Sequence, residues 1–173
     1  LTLQVLYYKK EIKEVNIMSF NTVYEFFKEK GLADRVMEFD ESSATVELAA
    51  QAIGCEPARI AKTMSFLIDD KAILIVTAGN VKIDNKKYKA YFHTKAKMIP
   101  WDDVEEYIGH APGGVCPFAV KEGISVYLDT SLKAFDIVYP AAGSSNSAVK
   151  LTPDELYTLS GATDWIDVCK TIE

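Results

Sequence analysis

The sequence predicts a single α/β domain, and three observations carry that expectation. Segments with the two-residue period of strands alternate with segments of helical period along most of the chain. The length of 173 residues, with 49% apolar and 25% charged residues, suits one unit with its own core; a chain of this size buries roughly 70% of the surface it exposes when unfolded. No internal repeat or low-complexity linker divides it. The strongest apolar run, Ala72 to Ala78, has the length of a strand and falls short of the ~18 residues of a bilayer span.

Taken in order, Leu1 to Tyr8 is apolar but is followed by lysines where a cleavable leader carries small residues. Residues 1–17 are therefore expected to be an upstream extension or non-core segment, with 18–173 as the domain and Met18 opening a helical stretch. Thr22 and Glu25 have capping-box spacing ahead of Val23, Phe26 and Phe27, and Gly31 closes the pattern, which predicts a helix over 22–30. Val36 to Phe39 is a short strand. Thr45 caps a second helix that stops at Gly54, and Cys55 to Arg59 turns around Pro57. Ile60 to Ile68 and Ala72 to Ala78 flank an Asp-Asp-Lys turn and read as a hairpin, its second strand central because it has a continuous apolar run.

Asp84 to Phe92 predicts a lysine-rich helix, and Asp102 with Glu105 a short one ending at Gly109. Ile124–Leu128, Ile137–Tyr139 and Ala148–Leu151 are short strands. Thr152-Pro153-Asp154-Glu155 combines a cap, proline at the first helical position and glutamate at the third, so the last helix runs from there to Ser160.

Three cysteines, Cys55, Cys116 and Cys169, supply neither a disulfide framework nor a four-ligand zinc site, which fits a reducing cytoplasm. The net charge of −6 argues against an indiscriminate nucleic-acid coat. Yet Lys82, Lys86, Lys87, Lys89, Lys95 and Lys97 stand against the single acid Asp84 over 82–97, interleaved with Tyr88, Tyr91 and Phe92. Such a run is either a solvated helix face or a phosphate-binding edge.

Ala111 to Phe118 reads Ala-Pro-Gly-Gly-Val-Cys-Pro-Phe. It is either an ordinary tight connection or a stiff loop whose N–H groups meet a developing oxyanion. Lys62, at the start of a buried strand, either points outward on the pleat or brings a charge into a pocket that wants an anion. His110 lies six residues before Cys116, so a Cys-His nucleophilic pair stands beside the alternative of a buried, inert thiol. Ala141 to Ser147 is a small-residue loop, a plain turn or a pocket wall. Phosphate-loop, nucleophile-elbow and zinc-protease motifs are absent from the sequence.

Ile60-Ala61-Lys62-Thr63, the Gly113-Gly114-Val115-Cys116-Pro117 loop, and Ala142-Gly143-Ser144 followed by Val149 to Leu156 fall in an order that resembles the YbaK and prolyl-tRNA synthetase editing-domain superfamily, over roughly residues 20 to 168. The resemblance implies a mixed, mainly antiparallel sheet or partial barrel flanked by helices. It implies a free-standing deacylase that hydrolyses the ester of a mischarged aminoacyl-tRNA in trans, releasing a small amino acid by a substrate-assisted mechanism, with no metal and no cofactor. By that resemblance Lys62, Gly113 and Gly114 carry the catalysis. Phe39, Thr45, Thr63, Val115, Cys116, Pro117, Gly143 and Ser144 contact substrate, and Lys82, Lys86, Lys87 and Lys89 contact tRNA. The implied partners are aminoacyl-tRNA and a synthetase, with no membrane, for a monomer or homodimer.

The chain departs from the family at Cys116, where relatives often carry a small hydroxylated residue, and over Ser144 to Ala148, where some carry charges. Two rivals remain: a thiol hydrolase using Cys116 and His110, and a non-catalytic module that binds tRNA or a synthetase.

Overall fold

The computed structural model describes residues 2–172. Its elements are α1 (Leu3–Glu29), β1 (Val36–Glu38), α2 (Val46–Ile53), β2 (Ile60–Ile68), β3 (Lys71–Ala78), β4 (Val81–Ile83), α3 (Asn85–Phe92), α4 (Val104–Ile108), β5 (Ser125–Asp129), β6 (Tyr139–Pro140), β7 (Ser147–Val149), α5 (Pro153–Leu159), β8 (Asp164–Ile166) and β9 (Cys169–Thr171). None of the described helices is long and apolar enough to cross a membrane.

The predicted hairpin is the spine. Antiparallel pairing runs from Ala61 opposite Ala78 to Ile68 opposite Lys71. Asp69 and Asp70 close it with positive φ of 49° and 60°, the backbone that a two-residue hairpin turn requires. Leu74, Ile75 and Val76 of β3 are fully buried, which is why that stretch is apolar on both faces. Around this pair the sheet extends in the order β6-β2-β3-β5-β8 and curls into a half-barrel, with β6, β5 and β8 joined by parallel pairing. Two antiparallel ribbons, β1 with β7 and β4 with β9, complete the mixed architecture.

The first helix starts earlier than its sequence pattern predicts. Thr22 is no cap: its hydroxyl donates to the Met18 carbonyl at 2.9 Å, one turn back inside a continuous helix. Ser19, Val23 and Phe27 form the buried stripe of α1, so its C-terminal part packs on the core while residues 2–14 are exposed. Asp102 is likewise no cap, because it lies inside a 3-10 turn over Trp101–Asp103 that leads into α4. The other caps are as read. Thr45 accepts from Leu48 N–H at 3.2 Å, Asp84 from Lys86 and Lys87, and Thr152 with Glu155 forms a full capping box. Glu155 also binds Arg35 at 3.0 Å and ties α5 to the segment before β1.

Gly79, between β3 and β4, allows the closest approach in this half of the fold. A Cβ there would stand 2.0 Å from the Pro57 carbonyl oxygen and 2.8 Å from Val46 Cγ1. Gly79→Ala is expected to destabilise the protein by about 2 kcal/mol or more, read as a lower urea midpoint at an unchanged slope. A loss below about 0.5 kcal/mol, the range of an ordinary surface substitution, would contradict that contact.

Candidate functional site

One edge of β2 pairs continuously with β3; its other edge does not have a continuous partner. There, Ile60 and Ala61 pair with β6 at one end. At the other end the Leu67 N–H donates to the Lys97 carbonyl at 2.8 Å, Phe66 bridges Met98, and the Ile99 N–H reaches the Ser65 carbonyl at 3.1 Å. Between these attachments Thr63, whose backbone faces the same edge by strand alternation, has no ladder partner on that edge among the described residues. Its hydroxyl is buried without a hydrogen-bond partner.

A cavity of about 560 Å³ opens at this gap, within the size range of small-molecule sites. Its walls come from the start of α2, from Ile60 to Ser65 of β2, from Met98 to Val104, from Pro112, Gly113 and Val115, and from Tyr139, Ala141, Ser147 and Ala148. Lys62 is the one charged side chain on these described walls, and no carboxylate lines them. Burial holds the Lys62 ammonium below the ordinary lysine pKa, opposed by the nearby Cys169 and Glu47. Its Nζ donates to the Val81 carbonyl, which leaves two of its three protons for a ligand.

The glycine loop meets the cavity with Gly113, whose φ of +86° suits the missing side chain. The Gly114 N–H closes a turn onto the Ala111 carbonyl at 3.0 Å. A Cβ on Gly114 would stand 2.6 Å from the Ser144 backbone, so this glycine lets two loops touch. Neither the Gly113 nor the Val115 N–H has a hydrogen-bond partner among the described residues.

Of the residues singled out from sequence, Lys62, Thr63, Thr45, Gly113 and Val115 share the cavity wall; Gly114, Phe39, Cys116, Pro117, Gly143 and Ser144 do not. The Phe39 backbone exchanges hydrogen bonds with Asn146. Gly143 sits against α1, where a Cβ would lie 2.6 Å from the Ser19 carbonyl oxygen. Ser144 bonds to Ser147 at 2.7 Å, and Pro117 faces a different hollow beside Phe26. Among the lysines, Lys87 binds Asp167 at 2.8 Å and the Cys169 carbonyl, whereas Lys82, Lys86 and Lys89 are exposed without an ion pair among the described residues.

His110 and Cys116 do meet, with Sγ 3.6 Å from Nε2, but inside the core. Nε2 lies 2.7 Å from the Phe118 carbonyl, so it carries the proton and donates there, which removes the lone pair a base needs. Burial lowers the His110 pKa and pushes the Cys116 thiol up to about 12. The pair is therefore a neutral brace across the loop, a geometry that argues against the thiol-hydrolase rival.

Sequence reasoning missed the far wall: Met98, Ile99, Trp101 and Val104. The available signal was the apolar run Met98-Ile99-Pro100-Trp101 directly after the lysine-rich segment.

The comparisons agree with this architecture. A model of the aminoacyl-tRNA editing domain matches residues 40–159. An uncharacterised Bacillus subtilis protein, YwhH, is 50% identical over 157 residues, 90% of this chain and 100% of its own. The proline–tRNA ligase of Staphylococcus aureus is 27% identical over 72% of this chain, which spans 22% of that enzyme. A solved structure of a candidate trans-editing enzyme for prolyl-tRNA synthetase superposes with a TM-score of 0.79 at 29% identity, covering 88% of this chain and 97% of that one. By sequence and by fold, the chain belongs to the aminoacyl-tRNA editing domain family.

Proposed function

We propose that this protein is a deacylase that acts in trans on mischarged aminoacyl-tRNA and releases a small, uncharged amino acid. The observation that carries the reading is the cavity itself: largely apolar walls, one half-buried cation, no carboxylate, and unpartnered N–H groups on a glycine loop. Lys62 holds the phosphate or ribose of the terminal adenosine with its two remaining protons. The N–H groups of Gly113 and Val115 receive the ester carbonyl oxygen.

Water adds to that carbonyl, the bond to the ribose oxygen breaks, and the proton lost by the water ends on the departing ribose oxygen, relayed by the neighbouring hydroxyl. An aminoacyl ester is already activated, so placement plus two oxyanion donors suffices without a triad. With no carboxylate on the wall, the substrate's α-ammonium meets the Thr63 edge of β2 instead. Ala49, Ala141 and Ala148 leave room on the wall for the acyl group, and the enclosing cavity selects by what it admits.

Lys62→Ala is expected to lower kcat/KM on a mischarged tRNA by roughly 100-fold with an unchanged far-UV spectrum; wild-type rates would remove Lys62 from the mechanism. A panel of mischarged tRNAs names the amino acid. Salt-sensitive tRNA binding without hydrolysis across that panel would favour the non-catalytic module instead.

Because Cys116 is a buried neutral thiol, Cys116→Ala should retain hydrolysis within about threefold, far from the loss of 10⁴ or more that follows removal of a true nucleophile. Complete inactivation of a folded variant would restore the thiol mechanism.

Lys87 is already held by Asp167, which leaves Lys82, Lys86 and Lys89 for phosphates. Three such contacts give a slope of log affinity against log salt of about −2 to −3, and each Lys→Gln change should reduce it by close to one unit. A flat salt response would exclude this face from tRNA binding.

A further inference from the structure

The side chain of Trp101 has no role in the core. It is 63% exposed, although it lines the cavity mouth. Among the described residues no other ring stacks on it and no cation sits over it, in contrast to Trp165, which lies on Tyr157 with ring centres 5.6 Å apart and under Lys133. Its indole stands on the ridge between the main cavity and a second hollow of about 350 Å³, which also contacts Asp102 and Glu105. One ring atom, Cη2, lies 3.7 Å from the Cβ position of Gly113, so the indole abuts the loop proposed to receive the ester carbonyl. Pro100 precedes it and starts the 3-10 turn that fixes its backbone.

We infer that the Trp101 indole is the platform on which the terminal base of the tRNA's single-stranded 3′ end stacks while the acyl group occupies the cavity; the inference rests on the deacylase reading above. The base is joined to the ester through a single ribose, and the indole borders the loop at the ester end. An unpaired, exposed aromatic face is what a nucleobase of any identity can use. Charge sets the direction of the strand. The acidic residues of the second hollow, Glu11, Asp102 and Glu105, repel phosphates, whereas exposed Lys95 and Lys97, in the segment that runs into the cavity wall at Met98, attract them, so a base and not the backbone lies over the indole.

Two linked measurements test this. In a Trp165→Phe background Trp101 is the one tryptophan left of two. A non-hydrolysable 3′-aminoacylamino-adenosine should quench its emission saturably, and the same compound lacking the base should not. In kinetics, removing the terminal base from a mischarged minihelix should lower kcat/KM of the wild type about tenfold. For Trp101→Ala the same removal should cost less than about twofold, and Trp101→Tyr should retain most of the wild-type dependence. An equal cost of base removal in wild type and Trp101→Ala, or no quenching by the adenosine probe, overturns the inference. If no protein hydrolyses any ester, the deacylase reading fails, and the quenching experiment alone decides the stacking.

Discussion

The half-buried ammonium of Lys62 shapes everything near it. A lysine on a strand that also belongs to the core must keep its charge partly solvated or partnered, because an unpaired charge in an apolar medium is costly. Here the partner is a carbonyl, Val81, supplied by the strand that follows β3. No carboxylate lines the cavity that the ammonium borders, so the charge is not neutralised there. A cation held this way is incompletely compensated, and its partial burial, which disfavours the charged form, holds its pKa below the usual value.

The gap in the β2 edge follows from the same arrangement. β6 covers two residues and the Lys97–Ile99 segment covers the far end, so the strand is tied at both ends and open in the middle. The loops opposite are fixed by backbone contacts that admit no side chain: Gly114 on Ser144, and Gly143 on Ser19. His110 adds a hydrogen bond to Phe118 across the base of the glycine loop. A loop braced in this way presents its N–H groups without reorganising, which is the condition under which oxyanion donors are most effective.

Much of this was legible in the chain. The hairpin announced itself through an unbroken apolar run and a polar turn, and α2, α3 and α5 through their caps, since these signals are local. Lys62 and Gly113 stood out because a charge in a buried strand and a glycine between prolines each violate a local rule. β4, β8 and β9 were not legible: each is three residues long and exists through its partner strand. The start of α1 was misplaced because Thr22 offers the same pattern as a cap and as a mid-helix residue that bonds back to Met18. Gly114, Gly143 and Pro117 lie off the cavity wall because of neighbours distant along the chain, Ser144, Ser19 and Phe26 in turn, which no local pattern encodes.

The central claim, that Lys62 and the glycine loop grip two ends of one aminoacyl-nucleoside, is tested most directly by a crystal structure with a non-hydrolysable 3′-aminoacylamino-adenosine. The account predicts the amide carbonyl oxygen within about 3 Å of the Gly113 and Val115 N–H groups, with the nucleoside against the Lys62 ammonium. A ligand seated outside the cavity, or one whose carbonyl turns away from the loop, would contradict it.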